Sequence, residues 1–116
     1  MYRRFLNAKI RDIRITATRL EYEGSITLDR DYLEEAGILP DEEVQVLNQE
    51  TDARFTTYVI LGAAGSGAVE LNGPAARLAS VGDRVMVLSY ALLSGEEIPD
   101  HEATVVRVNP EAPSPD

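Results

Sequence analysis

Alternating apolar and polar residues recur along this chain in short segments, and they predict a protein built mainly of strands. Near the start, Ile13 and Ile15 alternate with Arg14 and Thr16, which is the period of two that a strand shows. Later segments of the same kind are rich in β-branched residues and are bounded by turn residues. They are GSITLD at 24–29, EVQVLN at 43–48, RFTTYVILG at 54–62, AVEL at 68–71, VGDRVMVLSYALL at 81–93 and ATVVRVN at 103–109.

Two short helices are predicted between these strands. Asp29 is suited to cap the start of a helix over RDYLEEAG, and Gly37 is suited to end it. NGPAARLA at 72–79 indicates a turn that enters one helical turn, with Pro74 near its start. Many short strands with few helices predict a single small β-barrel domain over 1–109. The Pro-rich tail at 110–116 is predicted to be disordered.

Charge is distributed unevenly, and this limits the classes of partner. The net charge is −9, yet residues 1–20 carry six basic side chains against one acid, Asp12. The rest of the chain holds the other 5 of the 11 basic residues and 19 of the 20 acids. An acidic body argues against nucleic-acid binding, which depends on neutralising phosphates. No apolar run is long enough to span a membrane and no secretory signal is evident, so the expected compartment is the cytoplasm.

The usual catalytic reagents are missing from the sequence. There is no cysteine and one histidine, His101, which excludes thiolate chemistry and argues against a histidine-based metal site. Gly65 and Gly67 lack the strand–glycine–helix context of a phosphate loop, because a strand follows them. Lys9 is the only lysine, and a chain of this size is too small for a pyridoxal phosphate enzyme. Any enzyme built from this sequence therefore needs another electrophile.

Five motifs in order give the chain a resemblance to a known family. They are AKI at 8–10, YEGSITLD at 22–29, AGIL at 36–39, RFTTY at 54–58 and NGPAARLASVGD at 72–83. With these motifs the sequence resembles the pyruvoyl-dependent aspartate 1-decarboxylases, from Met1 to about Leu92 and more loosely to Val108. The resemblance implies a six-stranded double-psi β-barrel with two or three short helices. It also implies decarboxylation of L-aspartate to β-alanine for pantothenate biosynthesis.

In the family that the chain resembles, the electrophile is made by self-cleavage at a Gly-Ser bond, here Gly24-Ser25. The resemblance implies two products, a chain of residues 1–24 and a chain of residues 25–116 that begins with a pyruvoyl group derived from Ser25. Glycine at the cleavage site would let the hydroxyl approach and the backbone adopt a strained conformation. The pyruvoyl ketone forms a Schiff base with aspartate and accepts the electron pair left by CO₂. Neither a metal nor pyridoxal phosphate is implied.

Further roles carried over from the family are expectations to be tested. Tyr58 matches the proton donor, and Thr57 matches a donor to the oxyanion of self-cleavage and a substrate contact. Arg54 and Lys9 match residues that bind the charges of the substrate, and Tyr22 is a candidate for lining the site. The family's substrate-binding turn matches Asn72, Gly73, Pro74 and Ala75. Simpler explanations exist for each residue type, namely a core aromatic, a surface ion pair and ordinary turn chemistry.

The sequence departs from the family pattern at two positions near the expected site. Arg11 replaces a histidine that is common there, and Pro74 replaces a frequent alanine and removes a backbone N–H. Two other functions stay open, a swapped-hairpin DNA-binding regulator and an unprocessed barrel that binds a partner. The family also implies a homotetramer with sites between subunits, and some of its members need a helper protein for maturation.

Overall fold

A computed structural model describes residues 1–21 and 23–108 of the chain. About half of this part is strand and far less is helix, which confirms the prediction of a mainly β fold. The strands are β1 (Arg3–Arg14), β2 (Ala17–Arg19), β3 (Ser25–Asp29), β4 (Glu43–Asn48), β5 (Arg54–Gly62), β6 (Val69–Asn72), β7 (Arg84–Leu93) and β8 (Thr104–Arg107). One α-helix, α1 (Arg30–Ala36), and two 3₁₀ helices, Gly73–Leu78 and Ile98–Asp100, complete it.

The described strands form one eight-stranded sheet in the order β2-β6-β3-β5-β4-β7-β1-β8. The count expected from the family resemblance was six, and six strands do lie between the two edges. The additional strands are the edge strands β2 and β8, of three and four residues. A three-residue strand such as β2 is too short to show a period of two, so the sequence pattern did not predict it.

The sheet curls around one apolar core, as a small barrel does. Ile10 and Ile13 of β1 and Leu71 of β6 belong to the same buried cluster, although β1 and β6 lie near opposite ends of the strand order. Alternate residues of the intervening strands, such as Val46 and Val59, fill the same core. A flat sheet would keep these side chains apart, so the shared core requires strong curvature.

The helix α1 has the ends that the sequence predicted. Asp29 is the N-cap, with its carboxylate accepting a 2.8 Å hydrogen bond from Asp31 N. Gly37 ends the helix in the left-handed conformation, at φ 73°. Leu33 and Ala36 face the core and attach the helix to the barrel.

The strand β1 is longer than the alternation at residues 13–16 indicated. Its pairing with β7 changes register between Leu6 and Ala8 and again between Ile10 and Ile13. Asp12, inside the second irregularity, has φ 62°. Such bulges break the period of two that marks a strand in sequence.

No helix in the described residues is long and apolar enough to cross a bilayer. Residue 109 and the tail predicted to be disordered, 110–116, lie outside the described residues.

Candidate active site

Three of the predicted site residues meet on the outer face of neighbouring strands. Ser25 opens β3 and pairs with Asn72 at the end of β6. On the other side, β3 runs parallel to β5 with Ile26 opposite Val59, so Ser25 comes next to Tyr58. A cleft of about 360 Å³ lies over this face. Its lining residues are Glu23, Ser25, Thr27, Tyr58, Ile60, Glu70 and Asn72.

Asn72 fixes the hydroxyl of Ser25. The side-chain Nδ2 of Asn72 donates a 2.9 Å hydrogen bond to Ser25 Oγ and a 3.1 Å bond to Thr27 Oγ1. Ser25 is fully buried and Asn72 is nearly so. Asn72 Oδ1 is buried and has no hydrogen-bond partner among the described residues. Buried polar atoms rarely lack a partner, so this oxygen is an acceptor available for a donor that enters the cleft.

Gly24 precedes Ser25 without a left-handed backbone. The described glycines with positive φ are Gly37, Gly65, Gly67, Gly73 and Gly82, so the strain expected at Gly24 is not of that kind. A Cβ built on Gly24 would meet no heavy atom within 4 Å outside its chain neighbours. The absence of a Cβ at Gly24 therefore makes space only for its two chain neighbours, one of which is Ser25.

Thr57 and Tyr58 face opposite sides of β5, because consecutive residues of a strand alternate. Tyr58 faces the cleft together with Ile60. Thr57 pairs with the buried Val44 of β4 and is not among the described residues that line the cleft. Within one chain, the strand thus separates the two side chains that the family places in one site.

Arg54 and Lys9 are not among the described residues that line the cleft. Arg54 lies on the same face of β5 as Tyr58, but roughly 13 Å along the strand at about 3.3 Å per residue. Its Nη1 donates a 3.1 Å hydrogen bond to Gln45 Oε1, which also accepts a 3.1 Å bond from the hydroxyl of Tyr90. Lys9 lies on β1, between Leu88 of β7 and Val105 of β8. Arg54 is therefore too far along β5 to contact a ligand at Ser25 of its own chain, and Lys9 lies on a strand that pairs with none of β3, β5 and β6.

A second groove of about 330 Å³ lies near Arg54 on β1, β4, β5 and β7. Gln45, Thr56 and Tyr90 are among its lining residues, together with Arg4 and Leu92. Leu92, one residue before the end of β7, is 64% exposed. The groove therefore combines exposed apolar surface with the polar network that holds Arg54.

The predicted substrate-binding turn follows Asn72 directly. Gly73 starts the 3₁₀ helix with φ 74° and is buried, whereas Pro74 is exposed and Ala75 is half-buried. The far end of this helix is attached to the sheet, because Asn48 Nδ2 donates a 3.1 Å hydrogen bond to Leu78 O. Tyr22, which was predicted to line the site, lies outside the described residues.

The sequence interpretation missed four residues that line the cleft, and the period of two carries the signal for three of them. Thr27 and Ile60 lie two positions after Ser25 and Tyr58, and Glu70 lies two positions before Asn72, so each shares a face with a predicted residue. Glu23 is the fourth. Glu70 forms a 3.2 Å ion pair with Arg19 of β2. No spacing in the sequence indicates this pair, because β2 and β6 are far apart in the chain.

Comparisons with known proteins agree with one another. A family model described as aspartate decarboxylase matches residues 1–113. A protein of Staphylococcus aureus strain Newman, named aspartate 1-decarboxylase, is 50% identical over 109 residues, which cover 94% of this chain and 86% of the relative. A protein of Chloroherpeton thalassium with the same name is 49% identical over 102 residues, covering 88% of this chain and 75% of the relative.

Proposed function

The chain belongs to the aspartate decarboxylase family, and on that premise we propose that it converts L-aspartate to β-alanine and CO₂ for pantothenate biosynthesis. The observation that carries the proposal is the junction of β3, β5 and β6. There the hydroxyl of Ser25, the phenol of Tyr58 and the amide of Asn72 surround one cleft. The 1-carboxylate of aspartate leaves as CO₂, and the other carboxylate is retained in the product.

Self-cleavage between Gly24 and Ser25 comes first. Ser25 Oγ attacks the carbonyl carbon of Gly24, and the peptide bond becomes an ester. Elimination then releases Gly24 with a C-terminal carboxylate, and hydrolysis of the dehydroalanine left at position 25 releases ammonia and leaves the pyruvoyl group. The hydroxyl of Ser25 is buried and held by Asn72 at 2.9 Å, which supports its role as the attacking group. The segments 1–24 and 25–116 are the two chains that result.

The residues around position 25 fit a pyruvoyl group. Asn72 offers an N–H donor directed at position 25 and a buried oxygen without a partner among the described residues. When present, the group supplies an electrophilic ketone that condenses with the substrate amine and accepts the electron pair left by CO₂. Tyr58 then donates the proton that the substrate Cα needs, since Tyr58 lines the cleft.

The complete site is formed between copies of the chain in a homotetramer. The positions of Arg54 and Lys9, away from the cleft of their own chain, support this assembly. In it, the Arg54 of one copy binds the retained carboxylate of aspartate in the cleft of another, where a guanidinium grips a carboxylate with two parallel hydrogen bonds. Contact with the departing carboxylate instead would stabilise the ground state and slow the reaction.

An intact mass spectrum of the purified protein tests the proposal at its first step. We expect two chains split after Gly24, with the larger one lighter by the mass of ammonia than a chain that starts with Ser25. Ser25→Ala is the control and should stay in one piece. A larger chain with a free serine would mean plain hydrolysis. A single wild-type chain after prolonged warming would exclude autonomous cleavage, and incubation with a lysate would then test for a maturation helper.

Complementation between variants tests the shared site. Ser25→Ala chains mixed with Arg54→Ala chains should regain β-alanine production, because a mixed tetramer contains sites with both Ser25 and Arg54. Ser25→Ala mixed with Tyr58→Phe is the matched control and should stay inactive, because these two side chains belong to the same cleft. Recovery in the control mixture alone would contradict the arrangement.

Glutamate should be a poor substrate, since its extra methylene displaces the retained carboxylate from Arg54.

A further inference from the structure

Asp29 forms a buried junction at the opposite end of β3 from Ser25. Its side chain is almost fully buried, with a relative exposure of 2%. Besides the bond from Asp31 N that caps α1, its Oδ1 accepts a hydrogen bond from Gly65 N at 3.2 Å. Its Oδ2 accepts one from Gly67 N at 2.7 Å. One carboxylate thus joins β3 and α1 to the loop between β5 and β6.

The loop that Asp29 holds has a shape that depends on glycine. Gly65 has φ 77° and Gly67 has φ 69°, both in the left-handed region that favours glycine. In this conformation their two N–H groups converge on the same carboxylate. Backbone N–H groups that converge on one anion form a concave binding site, and here the anion is the side chain of Asp29.

Three strands run from this junction to the cleft over equal lengths. Asp29 pairs with Gly62, the last residue of β5, and Asp29 N donates a 2.9 Å hydrogen bond to Ala68 O, just before β6. Ser25 lies four residues before Asp29, Tyr58 lies four before Gly62, and Asn72 lies four after Ala68. Each strand therefore covers roughly 13 Å between the junction and the cleft, at about 3.3 Å per residue.

The strands are also in close contact at the junction. A Cβ added to Gly62 would lie 2.9 Å from Leu28 O, so β3 and β5 approach each other more closely there than a side chain permits. The close approach of Gly62 to Leu28 and the hydrogen bonds of Asp29 occur at the same end of the three strands. Together they set the relative register of β3, β5 and β6. A shift of the β5–β6 loop would move Tyr58 and Asn72 with respect to Ser25.

We propose that Asp29 is a positioning residue for self-cleavage, because its carboxylate holds the loop that sets Tyr58 and Asn72 in register with Ser25. The inference rests on the proposed function, in which Ser25 attacks the carbonyl of Gly24. Asp29 acts through the backbone of Gly65 and Gly67 and does not itself line the cleft.

The charge state of Asp29 favours this role. Burial raises its pKa, but the backbone hydrogen bonds from Gly67, Asp31 and Gly65 outweigh burial and leave the pKa below its ordinary value. The carboxylate is therefore ionised at neutral pH and accepts from all three donors. Burial, followed by the nearby charges of Asp29 and Asp31, raises the pKa of Tyr32, whose hydroxyl stays neutral beside the junction.

Two substitutions separate the loop contacts from the capping of α1. Ser, Asn and Asp are similarly good N-caps, so Asp29→Asn and Asp29→Ser both keep the start of the helix. Asp29→Asn replaces one carboxylate oxygen by an amino group and loses one acceptor for the loop. In Asp29→Ser the side chain is too short to reach the N–H of Gly65 or Gly67. Asp12→Asn is the matched control, because Asp12 is a buried aspartate that accepts a 2.8 Å bond from Arg107 on the far edge strand.

The test follows self-cleavage by intact mass against time, at a temperature where circular dichroism shows every variant folded. We expect cleavage about tenfold slower in Asp29→Asn, in line with the loss of a hydrogen bond to a charged group, and slower still in Asp29→Ser. One of the two amides of Gly65 and Gly67 should exchange faster with D₂O in Asp29→Asn, which loses one acceptor, and both should do so in Asp29→Ser. Asp12→Asn should cleave at the wild-type rate even if its melting temperature falls as much as that of the Asp29 variants.

Each result decides between distinct conclusions. Wild-type cleavage rates in the Asp29 variants, with faster exchange at Gly65 and Gly67, would overturn the positioning role and leave the proposed function intact. Absence of cleavage in the wild-type protein would instead refute the proposed function. Equal slowing in Asp12→Asn, or failure of both Asp29 variants to fold, would show that Asp29 supports stability alone and would also overturn the inference.

Discussion

Arg19 Nε lies 3.2 Å from Glu70 Oε1. Arg19 belongs to the segment that precedes Ser25, and its charge neutralises the carboxylate of Glu70, which lines the cleft. The pair follows from the parallel pairing of β2 with β6, in which Ala17 lies opposite Glu70. The Arg19 side chain is 46% exposed, and exposed ion pairs contribute little to stability. The main effect of this pair is therefore to reduce the negative charge that an anionic substrate encounters in the cleft.

Replacing Arg19 should weaken substrate binding. In Arg19→Ala the charge of Glu70 loses its compensation beside the cleft, and it repels the two carboxylates of aspartate. We expect the KM for aspartate to rise by up to about fivefold, the upper end of the range for an exposed charge interaction, with kcat little changed. Steady-state kinetics at low salt measures this effect, because screening weakens it at high salt. The double variant Arg19→Ala/Glu70→Gln should restore the KM, and a KM that stays high there would contradict the electrostatic explanation.

Removing the Tyr58 hydroxyl should separate self-cleavage from catalysis. Tyr58→Phe keeps the ring in the cleft and, on the proposed mechanism, removes the proton that Cα would receive after CO₂ departs. General acid catalysis contributes about 10²–10⁴-fold, so kcat should fall by about that factor. Intact mass should still show two chains, because Ser25 and Asn72 keep their hydrogen bond. Loss of cleavage in Tyr58→Phe would mean that the phenol also acts on the Gly24–Ser25 bond.

The close contact of β3 and β5 makes Gly62 sensitive to substitution. In Gly62→Ala the new Cβ would lie 2.9 Å from Leu28 O and 3.1 Å from Leu28 C, and neither backbone atom can move independently of the strand. Overpacking of this kind costs about 1–3 kcal/mol of unfolding free energy, which urea denaturation measures. Gly95→Ala is the control, because a Cβ there meets nothing within 4 Å. Equal stability of the two variants would contradict the tight register at the junction.

Local features of the fold were predictable from the sequence. The start and end of α1 followed from Asp29 and Gly37, because a cap depends on residues within one helical turn. The segment 43–48 was predicted as a strand and is β4, since its apolar residues alternate without interruption. The bulges of β1 were not predictable, because they displace the alternation near Asp12.

The candidate site was predictable only to the extent that the family resemblance supplied residues. The resemblance named Ser25, Tyr58 and Asn72, which share the cleft in one chain. It also named Arg54, which the single chain leaves outside the cleft, and only an assembly would bring it to another Ser25. Glu70 was missed because its partner depends on the pairing of β2 with β6. Registers between distant strands are global properties of the fold that no short motif encodes.

Acid should destabilise the protein through Asp83. A hydrogen bond from the Asn48 side chain, followed by one from Ser80 N, holds the pKa of Asp83 below its ordinary value against the opposing effect of burial. Because the folded-state pKa is the lower one, the stabilisation is fully present above the unfolded-state pKa and is lost as pH falls through the folded-state pKa. Urea unfolding at pH 6 and pH 3 should show a smaller acid-induced loss for Asp83→Asn than for the wild type. Asp41→Asn, at an exposed residue with φ 69° that asparagine tolerates, is the control and should behave as the wild type.

After self-cleavage, the short chain of residues 1–24 should stay bound to the rest. Its strand β1 pairs with β7 on one side and β8 on the other, and Ile10 and Ile13 are buried in the core. Cutting after Gly24 breaks none of these contacts, so both chains should elute together in gel filtration and separate only in denaturant. Ile10→Ala should cost about 2–5 kcal/mol of unfolding free energy, as for other large-to-small core substitutions, and should promote release of the short chain. Leu20→Ala, at an exposed leucine of the same segment, is the matched control. Dissociation of the wild-type chains in native buffer would show that the peptide bond, and not the pairing of β1, holds the segment in place.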